Sequence, residues 1–594
     1  MKKIILLAIV TYFLIAPITF HPDTKLTLRY PALENGLVWD IYGYINNHKL
    51  DIPDFHYPPA HYWWLKIHYP ISKFIGGQGF DNWLASGSAQ ASFDVNIFRY
   101  NLAAKFPLLL LGLICGFLIY LIVKKETNNE NAGKRAALFW FFNPITLYSL
   151  VIMGQNDIVA ITLFLFGIIF YKNWYLTALM WGLASGVKSY PIIWAVMFLL
   201  VMEKNIIKLI LKTVSVVLVY GLILLPWLGK DYFTQAVLNS GLSQRMFIAS
   251  IPIGFGKQIL IVPLLLIIIG LNIWKKKSSY KMANACLSIF QSCLVILGFS
   301  HFNPQWMLWT IPFLSIWIFT SEITKREILT LLLIFGCWTV LTLGFDDKFL
   351  SWGLLSPLSP SLINFPSLVE FAKNRGLEVS GIFNLSQSVL AGISLWYMTI
   401  KLKNKKWKNK SIKIKNWLIL IPWLLVTLMI LLLTNIKTIN KEYAQTSGKE
   451  VYLAELIDKK WSYQIKNNLK YFEVSLNNPS LKSQDRGVLV VTDDQGNIFE
   501  KDFSGFNAGV NSWLRVDVPS NMSKSEYLTM EVKNIIVNDG LLKMQVDGDN
   551  KWAINFYNVV ELSVVEVINK LLLFWWWWLI LAGISFIYIK VRKD

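Results

Sequence analysis

The stretch LAAKFPLLLLGLICGFLIYLIV fills residues 102–123 and runs straight into Lys124 and Lys125. A helix needs about 20 apolar residues to cross the hydrocarbon of a bilayer. This run has that length, and its only charged side chain, Lys105, sits near its start. Comparable runs recur, for example at 328–344 and 416–434. The chain therefore reads as an α-helical, polytopic integral membrane protein.

Bulk composition agrees. Of 594 residues, 54% are hydrophobic and only 16% charged, where a soluble domain carries about a quarter charged. The net charge of +20 comes largely from lysines in short clusters between apolar runs. That pattern reflects membrane topology and anionic lipid, so the expected surroundings are membrane lipid, with no nucleic acid as partner. The four cysteines, Cys115, Cys286, Cys293 and Cys337, all fall within apolar runs and imply neither a disulfide framework nor a zinc site.

Basic residues fix the threading, because they collect on the cytoplasmic side. Lys2 and Lys3 place the N-terminus inside, and a first helix at about 4–20 is followed by no small-residue cleavage site, so it reads as uncleaved. A long external loop, 21–100, precedes the span at 102–123. Helices at 136–153 and 157–171 form a hairpin whose tip is Gly154-Gln155-Asn156-Asp157. The stretch 174–203 starts and ends at lysines and so reads as two short helices that turn near Lys188-Ser189-Tyr190-Pro191. Further spans near 211–228, 257–273, 282–300, 306–320, 328–344, 382–400, 416–434 and 569–590 bring the expected total to about fourteen. Both termini then lie in the cytoplasm. Richness in lysine, asparagine and isoleucine points to an AT-rich microbial genome and a bacterial plasma membrane.

This divides the chain into a transmembrane module, 1–434, with external loops 21–100, 229–256 and 345–381, an extracytoplasmic region, 435–566, and a C-terminal anchor with a basic tail, 567–594. The extracytoplasmic region alternates apolar and polar residues, as in Val488–Thr492, Trp513–Val518 and Leu542–Val546. Turn signals such as Asp493-Asp494-Gln495-Gly496-Asn497 and Asp547-Gly548-Asp549-Asn550 separate the runs. A jelly-roll-like β-sandwich inserted before the last helix is expected. Trp461, Trp513 and Trp552 read as its core aromatics ahead of a sugar-stacking surface.

Polar side chains inside or beside apolar helices are costly and mark function. Four groups stand out. The loop after the first helix carries Glu34, Asp40, Tyr42, Asp51, Asp54 and the run Phe55-His56-Tyr57-Pro58-Pro59-Ala60-His61-Tyr62-Trp63-Trp64, and acids beside aromatic walls suit sugar stacking and proton abstraction. Asn143-Pro144 with Gly154–Asp157 forms the second group, and Gly186–Pro191, with Lys188 alone among apolar residues, the third. His301-Phe302-Asn303-Pro304-Gln305-Trp306, with Trp309 and Pro312 beyond, forms the fourth. All four fall on the external half of the bundle, where a shared site explains them together.

The order of these motifs resembles the GT-C superfamily of membrane glycosyltransferases. It is most similar to the polyprenyl-phosphate-mannose-dependent mannosyltransferases, including the GPI mannosyltransferase I type and bacterial relatives. The carrying residues are Asp40, Tyr42 and Tyr44; Tyr57-Pro58-Pro59; Asn143-Pro144 with Gly154–Asp157; Gly182-Leu183 with Lys188–Ile193; and Asn303–Trp306 with Trp309 and Pro312, over about residues 1–320. The resemblance implies an inverting hexosyltransferase, mannose favoured. It would move sugar from a polyprenyl-phosphate donor to a glycan or glycolipid acceptor at the outer face of the membrane. Asp40, matching the family's first-loop acid, would be the general base. Lys188, His301, Arg99 and Lys105 would be candidates to stabilise the lipid-phosphate leaving group. Gln155 and Asp157 would position sugar hydroxyls, and Tyr42, Tyr57, Tyr190, Gln305 and Trp306 would complete the substrate site, with Trp63 as a further stacking face. No metal motif is visible and no cofactor is required; a divalent cation stays open.

Two other classes share parts of the pattern. A lipid-linked oligosaccharide flippase or transporter has many helices with sparse charge, but no repeat of the Asp157 or Lys188 motif occurs in the second half. A polysaccharide polymerase or ligase uses the same kind of donor with late-loop arginines and a histidine, and 345–381 has Arg375 but no histidine.

Overall fold

The computed structural model describes residues 1–48, 54–86, 91, 94–240, 245–275, 281–345, 348–359, 362, 367–373, 375–397, 400, 415–434, 438–443, 449–456, 459–465, 469–477, 485–504, 512–519, 521–537, 542–546, 554–560, 573 and 575–590. Two compact units emerge. One comprises Met1–Leu358, Phe365–Leu431 and Ile568–Asp594; the other comprises Leu432–Val567 with Ser359–Asn364. Asp51, Trp552, the turn 547–550 and most of the lysine cluster at 401–415 lie outside the described residues.

The first unit is helical. Its elements begin with α1 (Lys2–Ile15), α2 (Pro22–Ala32), α3 (Ile41–His48), α4 (Pro59–Gly76), α5 (Phe80–Ala85) and α6 (Ile97–Thr127). They continue with α7 (Glu130–Phe142), α8 (Pro144–Ile152, ending in a π-helical turn), α9 (Asp157–Ile169), α10 (Trp174–Val187), α11 (Pro191–Met202) and α12 (Ile206–Leu224). After a hairpin, β1 (Ser250–Gly254) and β2 (Lys257–Leu260), come α13 (Ile261–Lys275), α14 (Lys281–Phe299), α15 (Ile311–Thr320), α16 (Lys325–Leu343), α17 (Ser380–Trp396), α18 (Leu420–Thr434) and α19 (Trp575–Lys590).

Helices stand at the expected places, although the one expected at 136–153 is broken at Asn143 and the one at 306–320 begins as a 3-10 turn, and the count of membrane-spanning ones differs. Among the described residues, Ile97–Thr127, Ile206–Trp227, Lys281–Phe299 and Lys325–Leu343 are long and apolar enough to cross a membrane. The pair α7 and α8, bent by 46°, adds a fifth if taken as one span. Other expected spans are shorter: α9 has 13 residues and α11 has 12. At 1.5 Å per residue, 13 residues cover about 20 Å, against a hydrocarbon core of about 30 Å. These helices stop early because polar tips, Gly154–Asn156 and Lys188–Tyr190, interrupt the apolar sequence. The larger correction concerns 21–100. It was expected as a loop, yet much of it folds into α2, α4 and α5, whose inner faces are buried.

Each end of this unit has a distinct character. At one end the first turn of α1 meets the start of α18 and the last turn of α19: Lys3 donates to Asn416 at 2.9 Å, and Asn416 donates to the Ile589 carbonyl at 3.2 Å. The basic residues Lys124, Lys134, Lys172 and Lys204 stand at the corresponding ends of α6, α7, α9 and α11. At the other end, Lys105 of α6 is fully buried and its ammonium donates to the carbonyls of Ala16 (3.1 Å) and Thr19 (2.7 Å) and to the Thr19 hydroxyl (2.8 Å). All three of its protons are spent where α1 ends, satisfying carbonyls that a helix C-terminus leaves without partners. Lys105 therefore caps the end of α1.

The second unit is a β-sandwich. One antiparallel sheet has the order β5 (Lys460–Gln464), β10 (Tyr527–Ile536), β7 (Arg486–Asp493), β8 (Ile498–Ser504). The other has the order β3 (Thr438–Tyr443), β12 (Ile554–Val560), β6 (Leu469–Leu476), β9 (Ser512–Asp517), and β4 (Lys449–Tyr452) pairs with β11 (Lys543–Val546). Trp461, Leu489 and Met530 from the first sheet and Phe472, Val516 and Phe556 from the second share one core. Trp461 is thus a core residue, as the composition of a small sandwich suggests.

Replacing Lys105 by methionine is expected to leave the end of α1 short of donors. The cost is about 1–3 kcal/mol, read as a lowered Tm of the detergent-solubilised protein; an unchanged Tm would mean these contacts contribute nothing.

Candidate active site

The site is built where four helix ends converge. Asp157 is the first residue of α9 and is buried to 1% exposure. Its Oδ1 accepts from the Tyr190 hydroxyl at 3.0 Å and from the Trp309 indole at 2.7 Å. Its Oδ2 has no hydrogen-bond partner and faces the Lys188 ammonium at 3.5 Å. Lys188 lies just past the last residue of α10, and its ammonium stands 4.1 Å from the centre of the Tyr57 ring. Tyr190 stacks on Trp309 with ring centres 3.9 Å apart. Pro191 then opens α11, at a helix position where its missing N–H costs nothing.

The hairpin tip between α8 and α9 docks against α2 and α4. Thr24 donates to the Met153 carbonyl, Asn156 donates to Thr27 at 3.3 Å, and Trp64 donates to Asn156 at 3.2 Å. Gly154 makes this approach possible. Its φ is +70°, and a β-carbon there would lie 2.8 Å from the Thr24 hydroxyl and 3.0 Å from Lys105.

A partly enclosed cavity of about 130 Å³ opens between these elements. Asp23, Thr27 and Tyr30 of α2 form one wall; Asp54, Phe55, Tyr57 and His61 form another; Gln155, Asp157 and Lys188 close it. Tyr57 and His61 stack at 4.3 Å. Asp23 is half exposed, and its Oδ2 has Gln155 at 3.5 Å and the His21 ring at 3.7 Å as neighbours. The cavity thus joins three carboxylates and one ammonium to aromatic faces. That combination suits a ligand with hydroxyls and a ring face.

Of the residues singled out in the sequence, Tyr57, Gln155, Asp157 and Lys188 line this cavity, and Tyr190 braces Asp157 from behind. Asp40 does not line it. It precedes α3, where Oδ1 accepts from the Gly43 amide (3.1 Å) and the Trp227 indole (2.9 Å), and Oδ2 from the Tyr232 hydroxyl (2.8 Å) and Lys230 (3.3 Å). Partial burial raises its carboxyl, but the Gly43, Tyr232 and Trp227 donors and the charge of Lys230 outweigh this and hold it below the usual carboxylate range. Tyr42 connects the two regions by donating to the Tyr57 carbonyl at 2.5 Å.

The remaining candidates are also placed elsewhere. Arg99 donates to the Ile75 carbonyl at 2.7 Å, at the end of α4. His301 is exposed beside Phe345, and its ring is held below the ordinary histidine value by partial burial and by Arg245. Gln305 and Trp306 lie in the 3-10 turn before α15, where Trp306 stacks on Trp309 at 5.2 Å without lining the cavity. Trp63 packs on Trp227, at 6.3 Å, outside the cavity. Sequence reasoning passed over Asp23. Its signal was present: Pro22-Asp23 directly after an apolar run is a helix N-terminus, with proline at the first position and an acid in the first turn. Among the described residues, no group of three or more His, Cys, Asp or Glu side chains is arranged to hold a metal.

Residues 95–296, from the start of α6 into α14, match the model of Glycosyltransferase family 87. The match supports a membrane glycosyltransferase and covers the helices that carry Asp157 and Lys188. No curated protein and no solved structure matches the chain.

Two outcomes follow from this geometry. Asp157→Asn is expected to destabilise the protein by about 3–5 kcal/mol, because it strands Lys188. Adding Lys188→Met should recover part of that loss in a double-mutant cycle; strictly additive losses would deny the pairing. For Asp40, a folded value below the unfolded value of about 3.9 gives a stabilisation that is complete above about pH 5 and disappears as pH falls through the folded value. The Tm gap between wild type and Asp40→Asn should therefore be widest near neutrality and close in acid, and a gap independent of pH would contradict it.

Proposed function

We propose that this protein is an inverting glycosyltransferase that takes a hexose, mannose favoured, from a polyprenyl-phosphate donor. It delivers the sugar to a glycan or lipid-linked acceptor at the outer face of a bacterial plasma membrane. The observation that carries this reading is the pairing of Lys188 with Asp157 in a cavity also lined by Asp23, Asp54 and Tyr57, at the end of the helical unit away from Lys3 and Lys204. The similarity of residues 95–296 to a glycosyltransferase family supports it.

In this mechanism the donor phosphate lies at Lys188 and its sugar rests against Tyr57 and His61. An acceptor hydroxyl attacks the anomeric carbon from the face opposite the phosphate, the bond from that carbon to the phosphate oxygen breaks, and polyprenyl phosphate leaves with the electron pair. Lys188 stabilises the charge that develops on it, worth most where water is scarce. The attacking hydroxyl gives its proton to a carboxylate. Asp40 is the residue that the family resemblance offers for this role. The geometry favours Asp23, which lines the cavity and has oxygen exposed there, whereas both oxygens of Asp40 are engaged.

The test is transfer by purified protein supplied with mannosyl, glucosyl, galactosyl and arabinosyl polyprenyl phosphates. Asp23→Asn is expected to lower the rate by about 10²–10⁴-fold, the range of general base catalysis. Transfer at full rate in Asp23→Asn with loss in Asp40→Asn would return the base to Asp40, and no transfer from any of the four donors by wild type would reject the reaction.

A further inference from the structure

The loop expected at 229–256 runs into the hairpin of β1 and β2, which carries apolar side chains into the open. Every residue from Ile251 to Ile259 is exposed, with Ile251, Ile253 and Phe255 more than half so. Ile251 stands opposite Ile259, which puts the two on one face. Gln258, on the other face, accepts from the Ser250 hydroxyl. At the tip, Gly254, Phe255 and Gly256 all have positive φ, and Phe255 is fully exposed at φ +51°. Glycine or asparagine fits that backbone at less cost, so the turn holds up an aromatic ring that folding does not ask for. A two-stranded hairpin is marginal in water, and a cluster of exposed apolar residues marks a contact surface.

We propose that this hairpin is seated in the bilayer itself, with Phe255 and the Ile251–Ile259 face in the boundary between lipid head groups and acyl chains. Continuity, position and length all name lipid as the occupant. β2 passes into α13 without a linker, and the Ile261 amide donates to the Ala249 carbonyl at 3.0 Å, so hairpin and helix are joined at their base. α13 in turn exposes Leu264, Ile267, Ile268 and Leu271, an apolar surface that carries on from the hairpin. Lys204, just past α11, donates to the carbonyls of Ile273 and Trp274 at 3.1 and 3.2 Å, so α13 ends at the Lys204 end and begins at the cavity end. Arg245, in the turn before β1, lies 5.9 Å from the Trp306 ring at that same end. The 15 residues of α13 cover about 22 Å of a hydrocarbon core about 30 Å thick. Counted from Lys275, the remaining ~8 Å of hydrocarbon falls on the hairpin. Its outer strand edges exclude it from the middle of the hydrocarbon, but at the boundary water and head groups supply partners. Lys257 beside an aromatic tip is the pairing found at that depth. The inference stands apart from the reaction proposed above.

The test measures depth in the full chain reconstituted into phosphatidylcholine nanodiscs. Single cysteines are introduced by Phe255→Cys, Ile251→Cys and Gln258→Cys, all at exposed positions, and labelled with the fluorophore NBD; the four native cysteines are buried. Ile267→Cys, on the exposed side of α13, serves as the lipid reference, and Gln495→Cys, in the exposed turn after β7, as the water reference. Phosphatidylcholine with a doxyl group on the fifth carbon of its chain is expected to quench label at position 255 at least threefold more than label at position 495. A doxyl group on the twelfth carbon should quench it less. Iodide should quench label at position 255 at least threefold less than at position 495, and should reach position 258 more readily than position 251. Iodide quenching at position 255 equal to that at position 495, with no response to doxyl lipid, would overturn the proposal. So would shielding from iodide without doxyl quenching, which would put a protein surface there, and so would equal iodide access at positions 251 and 258.

Discussion

Burying a carboxylate is unfavourable by several kcal/mol unless it is paired and hydrogen-bonded, and Asp157 is buried at the junction of four chain segments. Its partners come from different places: Lys188 from the end of α10, Tyr190 from the start of α11, and Trp309 from the turn before α15. None of these segments can shift without leaving a charge or a polar group stranded in an apolar surrounding. The pair therefore fixes where the helix ends meet, with the Tyr190 ring stacked on Trp309 beside it. Asp157 Oδ2 faces Lys188, and Lys188 and Tyr57 together border the cavity.

Everything else at this end supports the frame. α2 and α4 have no membrane-length apolar run, yet they close over the tips of the hairpin and complete the cavity walls. Lys105 ends α1 at the right height for α2 to begin beside Gly154, and Gly154 admits α2 only because it lacks a side chain. Two lysines in apolar stretches thus answer the same electrostatic problem differently. Lys105 is consumed by backbone carbonyls and shut off from solvent, whereas Lys188 faces one carboxylate and one ring and borders open space.

The sequence was a good guide wherever one rule dominated. Apolar length and flanking lysines located the helices, including the turn at Lys188–Pro191 that breaks 174–203 into α10 and α11. The Gly154–Asp157 and Lys188–Tyr190 motifs were legible because amides and charges between apolar runs need a reason to be there. The region 21–100 was harder to read. α4 buries His61, Leu65, His68 and Ser72 at helical spacing, but that stripe is too polar to register as a hydrophobic face. Reading the region as a loop hid Asp23, which stands in the first turn of a helix and not on a free strand of chain. The partners of Lys105 and Arg99 were hidden for a related reason: their acceptors are carbonyl oxygens, which no residue name reveals.

The two first-region acids show why residue type and motif order identify a chemistry better than they identify the atom that performs it. Hydrogen bonds and a nearby ammonium stabilise the ionised form of a carboxylate and so weaken it as a proton acceptor. Asp40 has two indole or amide N–H donors, a phenol and an ammonium around it. The interactions that suit it to hold two chain segments together are the ones that lower its affinity for a proton and occupy the lone pairs a hydroxyl would need. Asp23 has looser neighbours and half its side chain exposed, so its oxygens are still within reach of a ligand. A carboxylate can serve the fold or the reaction according to how many of its lone pairs the fold has already taken, and that count becomes visible only when Trp227, Lys230 and Tyr232, nearly two hundred residues away in the chain, are seen to converge on one of the two.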